Sequence, residues 1–294
     1  SLMQKIFQNN KEPLFGRADN IIKLSAFDLA TLKEIIFDYN PDYSNDDLLA
    51  LYSFTGGVPK YVELLCDNTE LSVDGMISFM VRENSSFTDE GKNLLVEEFG
   101  KNYATYFSIL SAISGGINTQ PGIEAALGDK SIGGQIKRLI EDYNIIVRQR
   151  PILAKEGSQT VRYEIQDNFL RFWFNYFDRY RSLIEIKNFV GLQSIIKKDY
   201  PTYSGIMLER YFKQQFAESF QYRAIGSWWE LKGYQNEIDI VGLKLEKNQA
   251  VVAEVKRQKK NFKPELLVAK TEHLKQKLLP KYRIEMRCLS LEDM

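Results

Sequence analysis

Five side chains in the last third of the chain are of the types that hydrolyse phosphate esters. Glu237 and Asp239 share one face of a strand pattern in which Ile238 and Ile240 share the other, because side chains alternate along a strand. Glu254 and Lys256 share a face in the same way, opposite Ala253 and Val255. A hairpin turning around Glu246 and Lys247 sets Asp239 opposite Glu254, and a turn one residue later sets it opposite Lys256, so either register brings Asp239 to the Glu-x-Lys. Adjacent carboxylates repel unless a cation lies between them. Mg²⁺ suits that position, being a hard ion that takes one or two carboxylates and accepts phosphate oxygens in the rest of its shell. Asp239 and Glu254 are therefore the expected metal ligands. Lys256 would orient an attacking water or stabilise charge developing on the phosphate, and Glu209, on the preceding helix pattern, would complete the cation site. Asp239 lies among Ile238, Ile240 and Val241, where an unpaired carboxylate is costly to bury, and this favours a functional site over ordinary surface charge.

The elements that must hold these residues can be read from periodicity. Gly205 to Phe220 carries Leu208, Phe212, Phe216 and Phe220 at four-residue spacing, which predicts a helix. Strand patterns come next over Ala224–Leu231, Glu237–Leu245 and Gln249–Arg257, then a basic helix over Pro264–Leu279 and a last strand over Tyr282–Leu289. The order α-β-β-β-α-β predicts a mixed sheet flanked by helices. The basic helix carries Lys270, Lys275 and Lys277, placed to meet phosphates of a nucleic acid.

The earlier chain reads as two further units. Asn20 to Leu24 is a short strand pattern, and Ser25 can cap a helix through Leu29, Leu32, Ile35 and Ile36 that Pro41 stops. Ser44 with Asp47 forms a capping box for a second helix, and Pro59, after Gly56 and Gly57, starts a third. Helical stretches near Val73–Glu83 and Asp89–Phe99 complete an all-α unit. Next come helices over Tyr106–Ile113, Pro121–Leu127 and Ile132–Tyr143, then strands over Ile145–Val147 and Val161–Ile165, the pattern of a winged helix-turn-helix. Gln135, Lys137 and Arg138 lie on its third helix, where such domains touch DNA, but Ile132, Ile136, Leu139 and Ile140 favour a packing role. The aromatic run Asp167–Tyr180 reads as a hydrophobic bridge between the winged helix and the last unit.

Composition narrows the chemistry. The 294 residues suggest two or three domains. A single histidine, His273, and two cysteines, Cys66 and Cys288, with no CxxC pair, exclude a cysteine-rich zinc site and most His-based nucleophile systems. No apolar run reaches the ~18 residues of a membrane helix and no signal peptide is evident, so a cytoplasmic protein without membrane association is expected. The formal net charge of zero conceals unlike ends. Ser1–Phe99 holds eight Lys/Arg against seventeen Asp/Glu, and Lys244–Arg287 holds thirteen against five, an asymmetry that points to an anionic partner, DNA first.

Glu209, then Glu237-Ile238-Asp239, then Glu254-Val255-Lys256 resembles the PD-(D/E)XK, restriction-endonuclease-like superfamily, although no Pro precedes Asp239. The resemblance implies Asp239 and Glu254 as ligands of Mg²⁺, or Mn²⁺ in its place, Lys256 as catalytic and Glu209 as an accessory acid. Over almost the whole chain, the segment Pro13–Arg17, the turn Gly56–Tyr61, the run Asp167–Trp173 and Trp228-Trp229 are similar to archaeal and bacterial AAA-type ATPases with a C-terminal domain of unknown function. That resemblance implies a remnant of an ATPase core over residues 1–24, a helical lid over 25–100, a winged helix with an aromatic linker over 101–182 and a nuclease-like domain over 183–294. It implies that Arg17 and Lys60 face nucleotide. The chain has no GxxxxGK[ST] and no Walker-B strand, so ATP binding is expected only of a version with the core. Ser1 and Leu2 ahead of Met3 read as a cloning scar on a fragment. The expected function is a Mg²⁺-dependent DNA phosphodiesterase under ATPase control. The alternative is a non-catalytic module that binds DNA or a partner protein within an ATP-driven switch.

Overall fold

The computed structural model describes Phe7, residues 12–17, 19–20, 22, 24–100, 103–155, 157–158, 160–230 and 236–294. Helices dominate the first half, and two small sheets come after them. Asn20, Ile22 and Leu24 belong to no regular element, and Ile22 and Leu24 are almost fully exposed, so these three do not form the expected strand. Ile21 and Lys23 lie outside the described residues. Helix α1 (Leu29–Tyr39) is capped by Asp28, whose Oδ1 accepts from the Thr31 amide at 2.8 Å, and not by Ser25. A carboxylate satisfies the free amides and also meets the positive end of the helix dipole, which a serine cannot do.

Helix α2 (Asn45–Thr55) has the Ser44–Asp47 capping box that the sequence predicts, and every residue from Leu48 to Thr55 is buried. Gly56 and Gly57 both take left-handed backbone, and a Cβ at Gly57 would sit 2.7 Å from the Phe27 carbonyl oxygen, so no other residue fits there. Helix α3 (Pro59–Asn68) then starts on Pro59, followed by α4 (Val73–Met80) and α5 (Ser86–Phe99).

Three helices, α6 (Tyr103–Ser114), α7 (Gln120–Ala126) and α8 (Gly133–Glu141), precede an antiparallel pair, β1 (Ile146–Gln149) and β2 (Arg162–Ile165), in which Ile146 faces Ile165. Ile136 and Leu139 of α8 are buried, as their spacing requires, while Lys137 points outward to Glu141.

The aromatic run forms α9 (Asn168–Phe172) and continues without a break into a π-helical turn over Trp173–Asp178. The rings meet partners from several earlier helices. Phe172 lies 4.6 Å from Phe54 of α2, Phe169 lies 4.3 Å from Tyr61 of α3, and Trp173 meets Phe107 of α6 edge-on at 5.8 Å. Trp173 also donates its indole N–H to the Thr88 carbonyl at 2.8 Å. Trp173→Ala should therefore lower stability by about 3–5 kcal/mol, the usual cost of removing a fully buried aromatic side chain. Urea denaturation measures this, and an unchanged midpoint would contradict the packing.

After α10 (Arg181–Glu185) comes one 30-residue helix, α11 (Phe189–Glu218), with Pro201 inside it. The sequence pattern starts a helix only at Gly205, whereas the observed helix begins 16 residues earlier and contains a proline, which costs about 3 kcal/mol inside a helix. Here burial of Leu192, Ile196, Tyr200, Tyr203, Met207, Leu208, Tyr211, Phe212 and Phe216 along one continuous helix outweighs that cost.

The second sheet has the order β3-β4-β5-β6, made of β3 (Tyr222–Trp228), β4 (Ile238–Lys244), β5 (Gln249–Val255) and β6 (Arg283–Leu289). The first three strands are antiparallel, and β6 runs parallel to β5 after the crossover helix α12 (Pro264–Leu278). Alternation divides the sheet between two helices. Ile240, Val251, Ala253 and Val255 join the main core with α11, whereas Val241, Leu243, Ala250 and Val252 pack with Leu267 and Leu274 of α12. The main core includes residues from Leu29 to Leu289 and so draws on the helical, winged-helix-like and last units of the sequence division, though on none of the described residues among 1–24. Among the described residues no helix is long and apolar enough to cross a membrane.

Candidate functional site

The β4–β5 hairpin pairs Ile240 with Ala253, the register in which Asp239 stands opposite Glu254. The ladder stops there for a local reason. The amide of Val255 donates to Asp239 Oδ2 at 2.8 Å, and the Asp239 carbonyl accepts from Ser227 Oγ at 2.8 Å. Asp239 thus uses its side chain where a main-chain pair would continue, and the two strands part at this end of the hairpin.

Lys256, one residue beyond β5, turns to the same side. Its Nζ lies 2.9 Å from Glu254 Oε1 and 4.0 Å from Asp239 Oδ2. Lys270 of α12 also reaches Glu254, at 3.1 Å from Oε2 and 3.3 Å from Oε1. Glu254 is only 14% exposed, Asp239 15% and Lys270 16%, so these charges interact in partly desolvated surroundings where they are stronger than at a surface.

Glu209, on α11, is near enough to this group to feel the charges of Asp239 and Lys256. Its carboxyl is pushed up to about 8, chiefly by burial and next by the charge of Asp239, with Glu237 adding and Lys213 and Lys256 opposing. Asp239 is also pushed up, by burial first, with Glu254 adding and the Val255 amide and Lys256 opposing. For Lys256 burial favours the neutral amine, but the hydrogen bond to Glu254 and the charges of Asp239, Glu254 and Glu209 outweigh it and raise its value. Lys256 is therefore an ammonium at neutral pH, able to donate hydrogen bonds and to stabilise negative charge, and unsuited to act as a base.

The donor set consists of hard oxygens suited to a divalent cation. Glu209 has no hydrogen bond or ion pair to any described residue, and its value is raised by burial first and by the charge of Asp239 second. As the side chains stand, no three Asp, Glu, His or Cys groups among the described residues are gathered closely enough to hold a metal ion. Lys256 and Lys270 supply the positive charge around Glu254.

The remaining sequence-predicted residues sit elsewhere. Glu237 is clasped by Arg162 of β2, at 2.7 Å from Oε1 and 3.4 Å from Oε2, which ties the small sheet to the large one. Of the three lysines expected to meet phosphates, Lys270 is taken by Glu254 and Lys277 by Glu230. Lys60, in the first turn of α3, is exposed and pairs with Glu90 at 2.5 Å, and Arg17 is exposed in the segment 12–17.

One link has no local signal in the sequence. Arg257, whose side chain points to the face opposite Lys256, binds both carboxylate oxygens of Asp46 at 2.9 and 2.6 Å and stacks near Tyr200 at 5.3 Å. The acidic helical unit is thereby joined to the strand end that carries Lys256.

These features define a mixed α/β protein whose β4–β5 hairpin gathers a largely buried Asp and Glu with a Lys. Residues 173–269 match a family described as archaeal and bacterial proteins of unknown function, DUF234. Over 267 residues the chain is 31% identical to the uncharacterized protein MJECL04 of Methanocaldococcus jannaschii, covering 87% of this chain and 57% of that one. The chain thus spans little more than half the length of this relative. No solved structure matches.

Proposed function

We propose that the chain carries a divalent-cation-dependent phosphodiesterase site acting on DNA, with Asp239, Glu254 and Lys256 as its working groups and Glu209 as an accessory acid. The observation that supports this most is the parted end of the β4–β5 hairpin, where Asp239 and Glu254 face each other and Lys256 lies between them. Mg²⁺ or Mn²⁺ held by Asp239 and Glu254 would supply Lewis-acid stabilisation of the phosphoryl oxygens. The protonated Lys256 would orient a water toward phosphorus and stabilise charge gathering on the phosphate. Glu209, protonated near neutrality, would become a ligand or a proton carrier as local positive charge increases. The arrangement fits the PD-(D/E)XK resemblance, and the three helices with β1 and β2 fit a winged helix used chiefly for packing. In this reading the chain would serve an AAA-type ATPase as its C-terminal part, with Arg17 and Lys60 meeting ATP only beside a P-loop core.

A second reading rests on Lys270. Glu254 already has two ammonium partners, which would suit a non-catalytic module that binds DNA or a partner protein. The test is cleavage of plasmid and single-stranded DNA with Mg²⁺ or Mn²⁺. The hydrolytic reading expects wild-type cleavage that Asp239→Ala removes. Equal behaviour of the two proteins would reject it, and salt-sensitive DNA binding without cleavage would favour the second reading.

A further inference from the structure

A cavity of about 640 Å³ lies between β1, β2, the start of α7 and the segment after β3. Its volume is within the range of ligand sites that take a nucleotide-sized molecule. Three arginines line it: Arg148, Arg150 and Arg162. So do two carboxylates, Glu124 and Glu230, and both are already engaged. Glu124 Oε1 accepts from Gln120 Nε2 at 3.0 Å and from the Ile132 amide at 3.2 Å. Glu230 is held by Lys277, by Asn236 at 2.8 Å and by His273 at 3.3 Å. Arg162 is engaged too, clasping Glu237 and lying 4.5 Å over the Trp229 ring.

Arg148 and Arg150 differ from these. Neither has an ion pair or side-chain hydrogen bond with a described residue, and Arg150 Nε is buried with no acceptor. A buried N–H left without an acceptor costs about 1–3 kcal/mol, a cost that a bound anion removes. The guanidinium fork fits the oxygens of a phosphate two at a time, and Ser158 and Thr160 add hydroxyls to the same wall. Arg162 links this cavity to the carboxylate-bearing strand, because Glu237, which it clasps at 2.7 Å, stands two residues before Asp239.

We propose that this cavity binds a phosphate ester through Arg148 and Arg150, seating the backbone of a nucleic-acid strand whose next phosphates run toward Asp239 and Glu254. The seating of a strand rests on the hydrolytic reading; the phosphate site does not. Phosphate esters also come as free nucleotides, so two probes are needed. A fluorescein-labelled 20-nucleotide single-stranded DNA is titrated by anisotropy in EDTA, and ADP is titrated by calorimetry.

Arg148→Ala and Arg150→Ala are each expected to weaken DNA binding about tenfold and to lower the slope of log affinity against log salt by about one. Arg150→Lys keeps the charge but loses the fork, and should fall between. Loss of ADP binding with DNA binding unchanged would support the phosphate site and assign it to a free nucleotide. Wild-type affinity of the variants for both probes, or no binding of either probe by the wild type, would overturn the proposal. Because binding is read in EDTA, a failed cleavage assay with intact arginine effects removes the hydrolytic reading alone. Cleavage with no arginine effect removes this site alone.

Discussion

Lys256→Met is expected to lower Mg²⁺-supported DNA cleavage by about 10²–10³-fold, the usual effect of deleting one charge-stabilising donor from a partly desolvated site. Lys270→Met should behave differently although both lysines touch Glu254. Lys256 lies 4.0 Å from Asp239 as well as 2.9 Å from Glu254, so it stands where a phosphate oxygen or attacking water would be held. Lys270 arrives from α12 and contacts Glu254 alone among the site carboxylates. Removing it frees Glu254 for a cation and should leave cleavage at or above the wild-type level, with a lower Mg²⁺ requirement. Initial rates across a Mg²⁺ titration separate the two variants. Equal losses in both would mean that the lysines serve only to neutralise Glu254, and would favour the non-catalytic module.

Glu209→Gln should stabilise the protein at alkaline pH. The folded-state value of Glu209, about 8, lies above the ~4.3 of an unfolded glutamate. The folded chain therefore holds this proton more tightly than the unfolded chain. The stability it contributes is fully present below the unfolded value and is lost as pH rises through about 8. At full burial each pH unit between the two values would remove about 1.4 kcal/mol, and the partial exposure of Glu209 reduces this. Glutamine imitates the protonated form, so the melting temperature of Glu209→Gln should fall less than that of the wild type between pH 5 and 8.5. Mg²⁺ at pH 8.5 should restore part of the loss in the wild type and little in Asp239→Asn. Parallel pH profiles for wild type and Glu209→Gln would show that the Glu209 carboxyl is not under this strain.

Much of the site could be read without coordinates because it rests on short-range geometry. Strand alternation puts Glu254 and Lys256 on one face and Val255 on the other, whatever the strand packs against. The turn around Glu246 and Lys247 sets a register that differs by only one residue between its alternatives, and the structure takes the one pairing Ile240 with Ala253. The Ser44–Asp47 capping box is equally local. Where the reading failed, tertiary context outweighed a local signal: the sequence pattern opens a helix only at Gly205, but the buried face of α11 carries the helix back through Pro201 to Phe189. Asp28 caps α1 ahead of Ser25 because only its carboxylate reaches the Thr31 amide.

By itself, then, the sequence determined which side chains could do chemistry, the order of the elements that carry them and the face each residue takes, since backbone geometry imposes periods of 2 and 3.6 locally. Tertiary structure alone decided their company. It brought Lys270 to Glu254 across 16 residues, Arg162 to Glu237 across 75 and Arg257 to Asp46 across 211. It also set the burial, and after it the neighbouring charge of Asp239, that push Glu209 up. The physical reason is that charge strength and proton affinity depend on desolvation and on neighbours a few ångströms away, and those neighbours are chosen by packing.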